Sequence, residues 1–239
     1  MEQLQSRVQS RDLTRAEVQK EVSTVFLAKV FNWMAVGLGL TGIVALLTVS
    51  SGFAQTLAAS PLYWLLLIGE VGVVFYLAAR VEKLEPGTAT WLFIAYSVMN
   101  GVTLSVLFLM YSGASIASTF LITAGMFATM AVYGLVTKRD LSGIGSFLFM
   151  GLIGILLASI VNIFLQSSSL YWAVSAIGVF VFVGLTAYDV QRIKQIGEQG
   201  IMEQGEAAIQ RGAIMGALAL YLDFINLFIM LLRFFGGRD

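Results

Sequence analysis

Seven apolar runs, each about 20 residues long, dominate this sequence and constrain what it can fold into. Each run can cross a hydrocarbon layer of roughly 30 Å as an α-helix that rises about 1.5 Å per residue. The runs lack the alternation of polar and apolar residues that marks the strands of a membrane β-barrel. We therefore predict an all-α integral membrane protein with a tail over residues 1–27 and a seven-helix bundle over 28–236, whose spans lie at about 28–49, 62–79, 88–111, 115–136, 145–165, 171–188 and 212–235.

The composition narrows the classes of function. Hydrophobic residues make up 58% of the 239 positions and charged residues 12%, with a mean hydropathy of +0.86. The chain has no histidine and no cysteine, which excludes thiol nucleophiles, histidine-based triads and structural zinc clusters. Its net charge is zero, and it lacks the basic excess that binding to nucleic-acid phosphates requires. We expect a lipid bilayer as its surroundings, no nucleic-acid partner and no cofactor.

The basic residues are distributed unequally between the two ends of the predicted helices. The first, third and fifth connections contain none, whereas twelve of the 14 lysines and arginines lie in the tail, at the entry to the first helix or in the second, fourth and sixth connections. Because basic residues concentrate on the cytoplasmic side, we expect the N-terminus to be cytoplasmic and the C-terminus, with Arg233 and Arg238, to lie outside. The twelve are Arg7, Arg11, Arg15, Lys20, Lys29, Arg80, Lys83, Lys138, Arg139, Arg192, Lys194 and Arg211.

Three acidic residues lie within or at the end of predicted spans rather than beside basic partners. Glu70 is near the middle of the second span, Asp189 ends the sixth, and Asp223 lies about 12 residues into the seventh. An ionised carboxylate in the bilayer costs a few kcal/mol, so such groups face the bundle interior, pair, or mark an ion or proton path. Asp189 also fits an ordinary interfacial carboxylate. Thr186, three residues before Asp189, and Asn226, three after Asp223, are candidate hydrogen-bond partners.

The two aspartates lie on consecutive antiparallel helices and could face one another, depending on how the helices tilt. Two carboxyl groups in contact within a medium of low dielectric constant share a proton and titrate as a unit. Because the chain has no imidazole, any response between roughly pH 5 and 8 must come from carboxyl groups, and Asp189 and Asp223 are the candidates.

Two segments around these aspartates resemble the signature of the Bax inhibitor (TMBIM) family. They are GLTAYDVQRIK at 184–194 and LYLDFINLFIMLLRFFG at 220–236. The stretches TKRDLSG at 137–143 and ASIVN at 158–162 are similar to the bacterial YccA/YbhL-like branch of that family. The resemblance extends over most of the chain from about Phe31 onward.

The resemblance implies a pH-sensitive calcium leak channel in the bacterial inner membrane, with the seventh helix at the centre of the bundle. It assigns Asp189 and Asp223 to a latch over the ion path, where they are also the candidate calcium contacts. Arg80 becomes the candidate partner of the latch, and Glu70 a possible acid of the pore or proton path. Calcium ions and protons are then the expected ligands. The connection from Gln195 to Arg211 is longer than in the shortest family members, which bears on whether the aspartates meet.

Two alternatives remain open. A protein of the bacterial branch restrains the membrane-bound AAA protease FtsH, and the tail from Met1 to Glu21 could bind such a protease. An intramembrane aspartyl protease also has aspartates on its sixth and seventh helices. Tyr188-Asp189 matches its first motif, but Leu220-Tyr-Leu-Asp223 lacks the required Gly-x-Gly-Asp. We expect a protein that is not an enzyme.

Overall fold

The fold is an all-α bundle, seen in a computed structural model that describes residues 2–199 and 201–237, with side chains from residue 23 onward except 202 and 203. Over these residues the chain forms eight α-helices, together with short 3₁₀ segments at Val81–Lys83, Ser105–Leu109 and Ile201–Gln204. The helices are α1 (Glu2–Ser50), α2 (Phe53–Ala58), α3 (Leu62–Arg80), α4 (Pro86–Leu104), α5 (Gly113–Val136), α6 (Ser142–Leu165), α7 (Ser168–Glu198) and α8 (Glu206–Phe235).

Seven of these helices are long and apolar enough to cross a membrane, which confirms the predicted fold class. The short helix α2 lies in the connection after the first span. Both prolines are at helix starts, where a missing N–H costs little: Pro61 precedes α3 and Pro86 opens α4. The spans therefore run without a proline kink.

Helix α8 occupies the centre of the bundle, as expected for the last span. Of its membrane-spanning window 72% is buried, against 6% for α6, and it packs against α1, α4, α5 and α7. Its buried face alternates small and large side chains, including Ala213, Gly216, Ala217 and Tyr221. Small residues let neighbouring helices approach closely in a bilayer, where apolar side chains alone give little preference for one another over lipid.

Helices α5 and α7 approach so closely that one position requires glycine. A Cβ atom on Gly134 of α5 would collide with the carbonyl oxygen of Ala187 on α7. This contact lies two residues before Asp189, so it holds the backbone of α7 next to the predicted latch.

The sixth connection is much shorter than the sequence predicts. We expected a loop over Gln195–Arg211, but α7 continues to Glu198 and α8 already begins at Glu206. The extra turn of α7 is stabilised by packing on α1, since Gly197 lies against Ser23 and Phe26. The Ser23 hydroxyl also donates to the carbonyl oxygen of Lys194 at 3.4 Å. Both helices thus project beyond their apolar cores on the side expected to be cytoplasmic.

Candidate functional site

The carboxyl groups of Asp189 and Asp223 lie within hydrogen-bonding distance of one another across the interface of α7 and α8. Asp223 is in the buried face of the central helix with 4% of its surface exposed, and Asp189 is partly buried. Asp189 lies within α7 rather than at the end of the helix, because α7 continues to Glu198.

Contact between these two groups requires a proton. A carboxylate only accepts hydrogen bonds, so two ionised aspartates cannot bond to each other. Among the described residues, no N–H or O–H group donates to the Oδ2 atom of Asp223, which is fully buried. A single proton shared by the carboxyl groups would supply a donor and would remove one of two like charges from the low-dielectric interior.

The C-terminal part of α7 is fastened to the end of α5 and the loop that follows it. Gln191 accepts a hydrogen bond from the backbone N–H of Leu141 at 2.9 Å and donates to the carbonyl oxygen of Arg139 at 2.8 Å. Lys194 donates to the carbonyl oxygen of Leu135 at 2.9 Å, which caps the last turn of α5. Asp189 is therefore on a helix segment that is tied down within five residues.

Arg80 is not paired with either aspartate. It is exposed at the end of α3 and forms no ion pair with an acid among the described residues. The cation that acts on Asp189 is instead Arg192, three residues later on the same helix. The arginine of the second span therefore lies outside the aspartate site in this conformation.

Thr186 and Asn226 are near the aspartates in sequence but bond elsewhere. The Thr186 hydroxyl donates to the carbonyl oxygen of Phe182 at 2.8 Å, and the Asn226 amide donates to that of Leu222 at 2.8 Å. Each side chain turns back onto its own helix, a common behaviour for short polar residues in apolar surroundings. Neither supplies a donor to the aspartate pair in the described structure.

Glu70 lies in a separate polar cluster between α3 and α4. It is 7% exposed, and its two carboxylate oxygens accept hydrogen bonds from Thr103 at 2.8 Å and Asn100 at 3.3 Å. Asn100 also donates to the Tyr96 hydroxyl at 3.4 Å, and its own side-chain oxygen is buried without a partner among the described residues. Glu70, on the second span α3, is therefore positioned by hydrogen bonds from the third span α4.

A second group of polar side chains joins this cluster to the central helix. The rings of Tyr96 and Tyr221 meet edge to face at 5.6 Å, and the Tyr221 hydroxyl is 2.6 Å from that of Thr41 on α1. Thr41 in turn donates to the carbonyl oxygen of Ser97 at 2.9 Å. Tyr221 precedes Asp223 by two residues, so α8 carries both polar sites.

These partners were missed in the sequence because they come from three helices other than that of Glu70, namely α1, α4 and α8. The available signal was weak: Asn100 and Thr103 are polar residues three apart within an apolar run, which places them on one helical face. Spacing along one helix does not indicate which neighbouring helix that face will meet.

Comparison with known proteins assigns this architecture to a family. The sequence profile described as "Inhibitor of apoptosis-promoting Bax1" matches residues 23–239. The chain belongs to the Bax inhibitor family. The match includes the whole transmembrane bundle, so membership applies to the part of the chain that carries both polar sites.

Several bacterial relatives share most of the chain. Inner membrane protein YbhL of Escherichia coli is 52% identical over 215 residues, which cover 89% of this chain and 92% of YbhL. An uncharacterized protein of Borreliella burgdorferi is 43% identical over 95% of this chain and 98% of its own length. An uncharacterized membrane protein of Streptococcus pyogenes serotype M1 is 36% identical, with coverages of 90% and 93%. This Bax inhibitor family member is a multi-pass protein of the bacterial inner membrane.

The acids in the described part of this family member do not assemble into a ready-made metal site. No group of three or more acidic side chains able to hold a metal ion occurs among the described residues. The aspartate pair offers up to four carboxylate oxygens, whereas Ca²⁺ takes six to eight ligands, often including water and backbone carbonyls. The arrangement is thus suited to transient contact with a hydrated cation rather than to tight storage of one.

Proposed function

We propose that this protein is a pH-sensitive cation leak channel that passes Ca²⁺ and is gated by Asp189 and Asp223. The observation that carries the proposal is the contact of the two carboxyl groups between α7 and the central helix α8. A gate at this position acts on the helix that packs against four other spans, so its state can reach most of the bundle.

The proton held between the aspartates acts as the latch. While it is present, the carboxyl groups bond to each other and α7 stays against α8. When it leaves, two negative charges face one another in a low-dielectric site, which is unfavourable until water or a cation enters. Separation of the pair then exposes hard oxygen ligands of the kind that Ca²⁺ prefers.

Glu70 provides a further carboxylate for the path. Its hydrogen bonds with Asn100 and Thr103 hold it within the bundle in the latched state. The unpartnered side-chain oxygen of Asn100 gives a passing cation or water an additional ligand there. We infer that the path runs from the aspartate pair toward this cluster along the side of α8 that carries Tyr221.

Calcium flux into proteoliposomes tests the gate. We expect wild-type flux to rise as the pH is raised through roughly 5 to 8, because the latch proton is lost. Asp189→Asn and Asp223→Asn each remove one titrating group at nearly constant size, so the pH response should disappear. Asp140→Asn is a matched control, since Asp140 is an exposed aspartate in the loop between α5 and α6.

Unchanged flux and an unchanged pH profile in Asp223→Asn would overturn the gating role. The same two variants also test the enzymatic alternative. If the aspartates catalysed peptide hydrolysis, wild-type proteoliposomes would cleave a helical membrane substrate and both asparagine variants would not. We expect no cleavage by any of the three proteins, in line with the missing Gly-x-Gly-Asp motif.

A second candidate function is regulation of an FtsH-type membrane protease by binding. The observation that favours it is that residues 2–22 of α1 precede the apolar span, which begins at Ser23. The side chains of this segment lie outside the described residues. Removal of residues 2–21 should abolish co-purification with the protease while leaving calcium flux intact. A truncated protein that still binds the protease would exclude the tail as the contact.

A further inference from the structure

A cavity of about 660 Å³, lined by both polar and apolar side chains, opens at the end of the bundle opposite the basic loops. It lies where α6 ends, α7 begins and α8 ends, and a smaller cavity of about 290 Å³ shares three of its lining residues. By the distribution of basic residues this end is extracytoplasmic. The lining side chains that matter here are Asn162, Ser167, Ser168, Tyr171, Trp172 and Arg233.

Arg233 supplies a positive charge to this cavity and is held in a defined orientation. One terminal nitrogen, Nη1, donates to the Ser175 hydroxyl at 3.2 Å, and the guanidinium carbon is 4.8 Å from the centre of the Tyr171 ring. No acid of the described residues forms an ion pair with Arg233 or lines the cavity. The Nε and Nη2 groups make no hydrogen bond to described residues, so they remain as a two-pronged donor.

Neighbouring side chains add donors to the same space. Asn162 accepts a hydrogen bond from the backbone N–H of Ser167 through its side-chain oxygen at 2.9 Å, which leaves its amide N–H groups as donors. The Ser167 oxygen accepts from the backbone N–H of Leu170 at 3.3 Å, so its hydroxyl proton can be given to a ligand. Gln166, which also lines the cavity, has a positive φ of 49° and turns the chain there.

The position of Arg233 is unusual for a membrane protein. Basic residues are disfavoured at the extracytoplasmic end of a span, and Arg233 is half-buried rather than extended into water. The ring of Trp172, which lies 5.1 Å from that of Phe234, is characteristic of the level of the lipid headgroups. The guanidinium group of Arg233 therefore lies at the level of the headgroups, where phospholipid phosphates are found and where its planar donors suit phosphate oxygens.

We propose that this cavity binds a phosphate group, with Arg233 as its charged ligand and Asn162 and Ser167 as hydrogen-bond donors. The favoured source of the phosphate is a phospholipid headgroup of the outer leaflet, whose acyl chains then lie along the exposed apolar face of α6 and α7. A free phosphate ion has the same chemistry and is the other possible source. The site is independent of the aspartate latch and does not rest on the proposed channel function.

Native mass spectrometry of the purified full-length protein tests the site. Phosphatidylglycerol is titrated against diacylglycerol with the same acyl chains, which lacks the phosphate. We expect tighter retention of phosphatidylglycerol by the wild type, and a loss of about tenfold or more in its affinity in Arg233→Gln. Arg233→Lys keeps the positive charge but loses the forked guanidinium, so its affinity for phosphatidylglycerol should lie between those of the wild type and Arg233→Gln. Arg80→Gln, which removes an exposed arginine at the opposite end, is the matched control and should bind like the wild type.

Added inorganic phosphate separates the two sources. If millimolar phosphate displaces phosphatidylglycerol from the wild type but not from Arg233→Gln, the site recognises the phosphate group itself. If phosphatidylglycerol alone is retained and phosphate does not compete, the lipid is the ligand. Equal binding of both lipids, or an unchanged affinity in a folded Arg233→Gln and Arg233→Lys, would overturn the proposal.

Discussion

At the scale of single residues, the direction of one buried hydrogen bond follows from counting donors. The Thr41 hydroxyl has one proton, which it gives to the carbonyl oxygen of Ser97 at 2.9 Å. The 2.6 Å contact between Thr41 and Tyr221 must therefore have Tyr221 as its donor. All three residues are buried, so each unpaired group here has a cost in free energy.

This assignment predicts unequal effects of two substitutions. Tyr221→Phe removes the donor and leaves Thr41 with its bond to Ser97, which should cost about 1 kcal/mol in the free energy of unfolding. Thr41→Val leaves the Tyr221 hydroxyl without an acceptor and should lower the free energy of unfolding by more, about 1–3 kcal/mol. Thermal or detergent-induced unfolding of the two variants measures the difference. Equal losses, or a larger loss in Tyr221→Phe, would reverse the assigned direction.

Asp140 shows why an exposed aspartate serves as a control for the latch. The Ser142 hydroxyl and the Ser142 backbone N–H both donate to its carboxylate and hold its pKa below the usual value. The stabilisation is thus present at neutral pH and is lost as the pH falls through that lowered pKa. Asp140 stays ionised through the range in which the latch is expected to respond, so it contributes nothing to that response.

At the scale of helices, the aspartate pair depends on how closely α5 and α7 approach. Gly134 on α5 leaves room for the carbonyl oxygen of Ala187 on α7. Lys194, also on α7, donates a hydrogen bond to the carbonyl oxygen of Leu135 at the end of α5. These contacts hold α7 on both sides of Asp189. The rigidity of the latch is therefore a property of the α5–α7 interface as much as of the aspartates.

Adding one methyl group at this interface tests that dependence. Gly134→Ala forces α5 and α7 apart and should cost about 1–3 kcal/mol in unfolding free energy. Gly125→Ala on the same helix is the control, since a Cβ there meets no atom within 4 Å. It should be neutral or slightly stabilising because alanine favours helix more than glycine does. The two variants are compared by thermal unfolding, and similar melting temperatures would contradict the role given to Gly134.

At the scale of the whole molecule, the spans were predictable because each depends only on local hydropathy. The Asp189 and Asp223 candidates came from the cost of charge in a bilayer and from family resemblance, but their contact was not predictable. It depends on how α7 and α8 pack against one another, which spacing along either helix does not determine. The partners of Glu70 and the separation of Arg80 from the aspartates likewise depend on which helix faces meet, and local patterns do not contain that information.

The uninterrupted helix α1 has a mechanical consequence for the bundle. It runs from Glu2 to Ser50, about 70 Å at 1.5 Å per residue, and it packs against α4, α7 and α8. Ser23, at the start of its apolar part, is bonded to α7 beyond Asp189. We infer that a partner pulling on residues 2–22 would transmit force to α7, because Ser23 is hydrogen-bonded to Lys194, which follows Asp189 on that helix. Under the two proposed functions, protease binding would therefore be mechanically coupled to ion gating through α1.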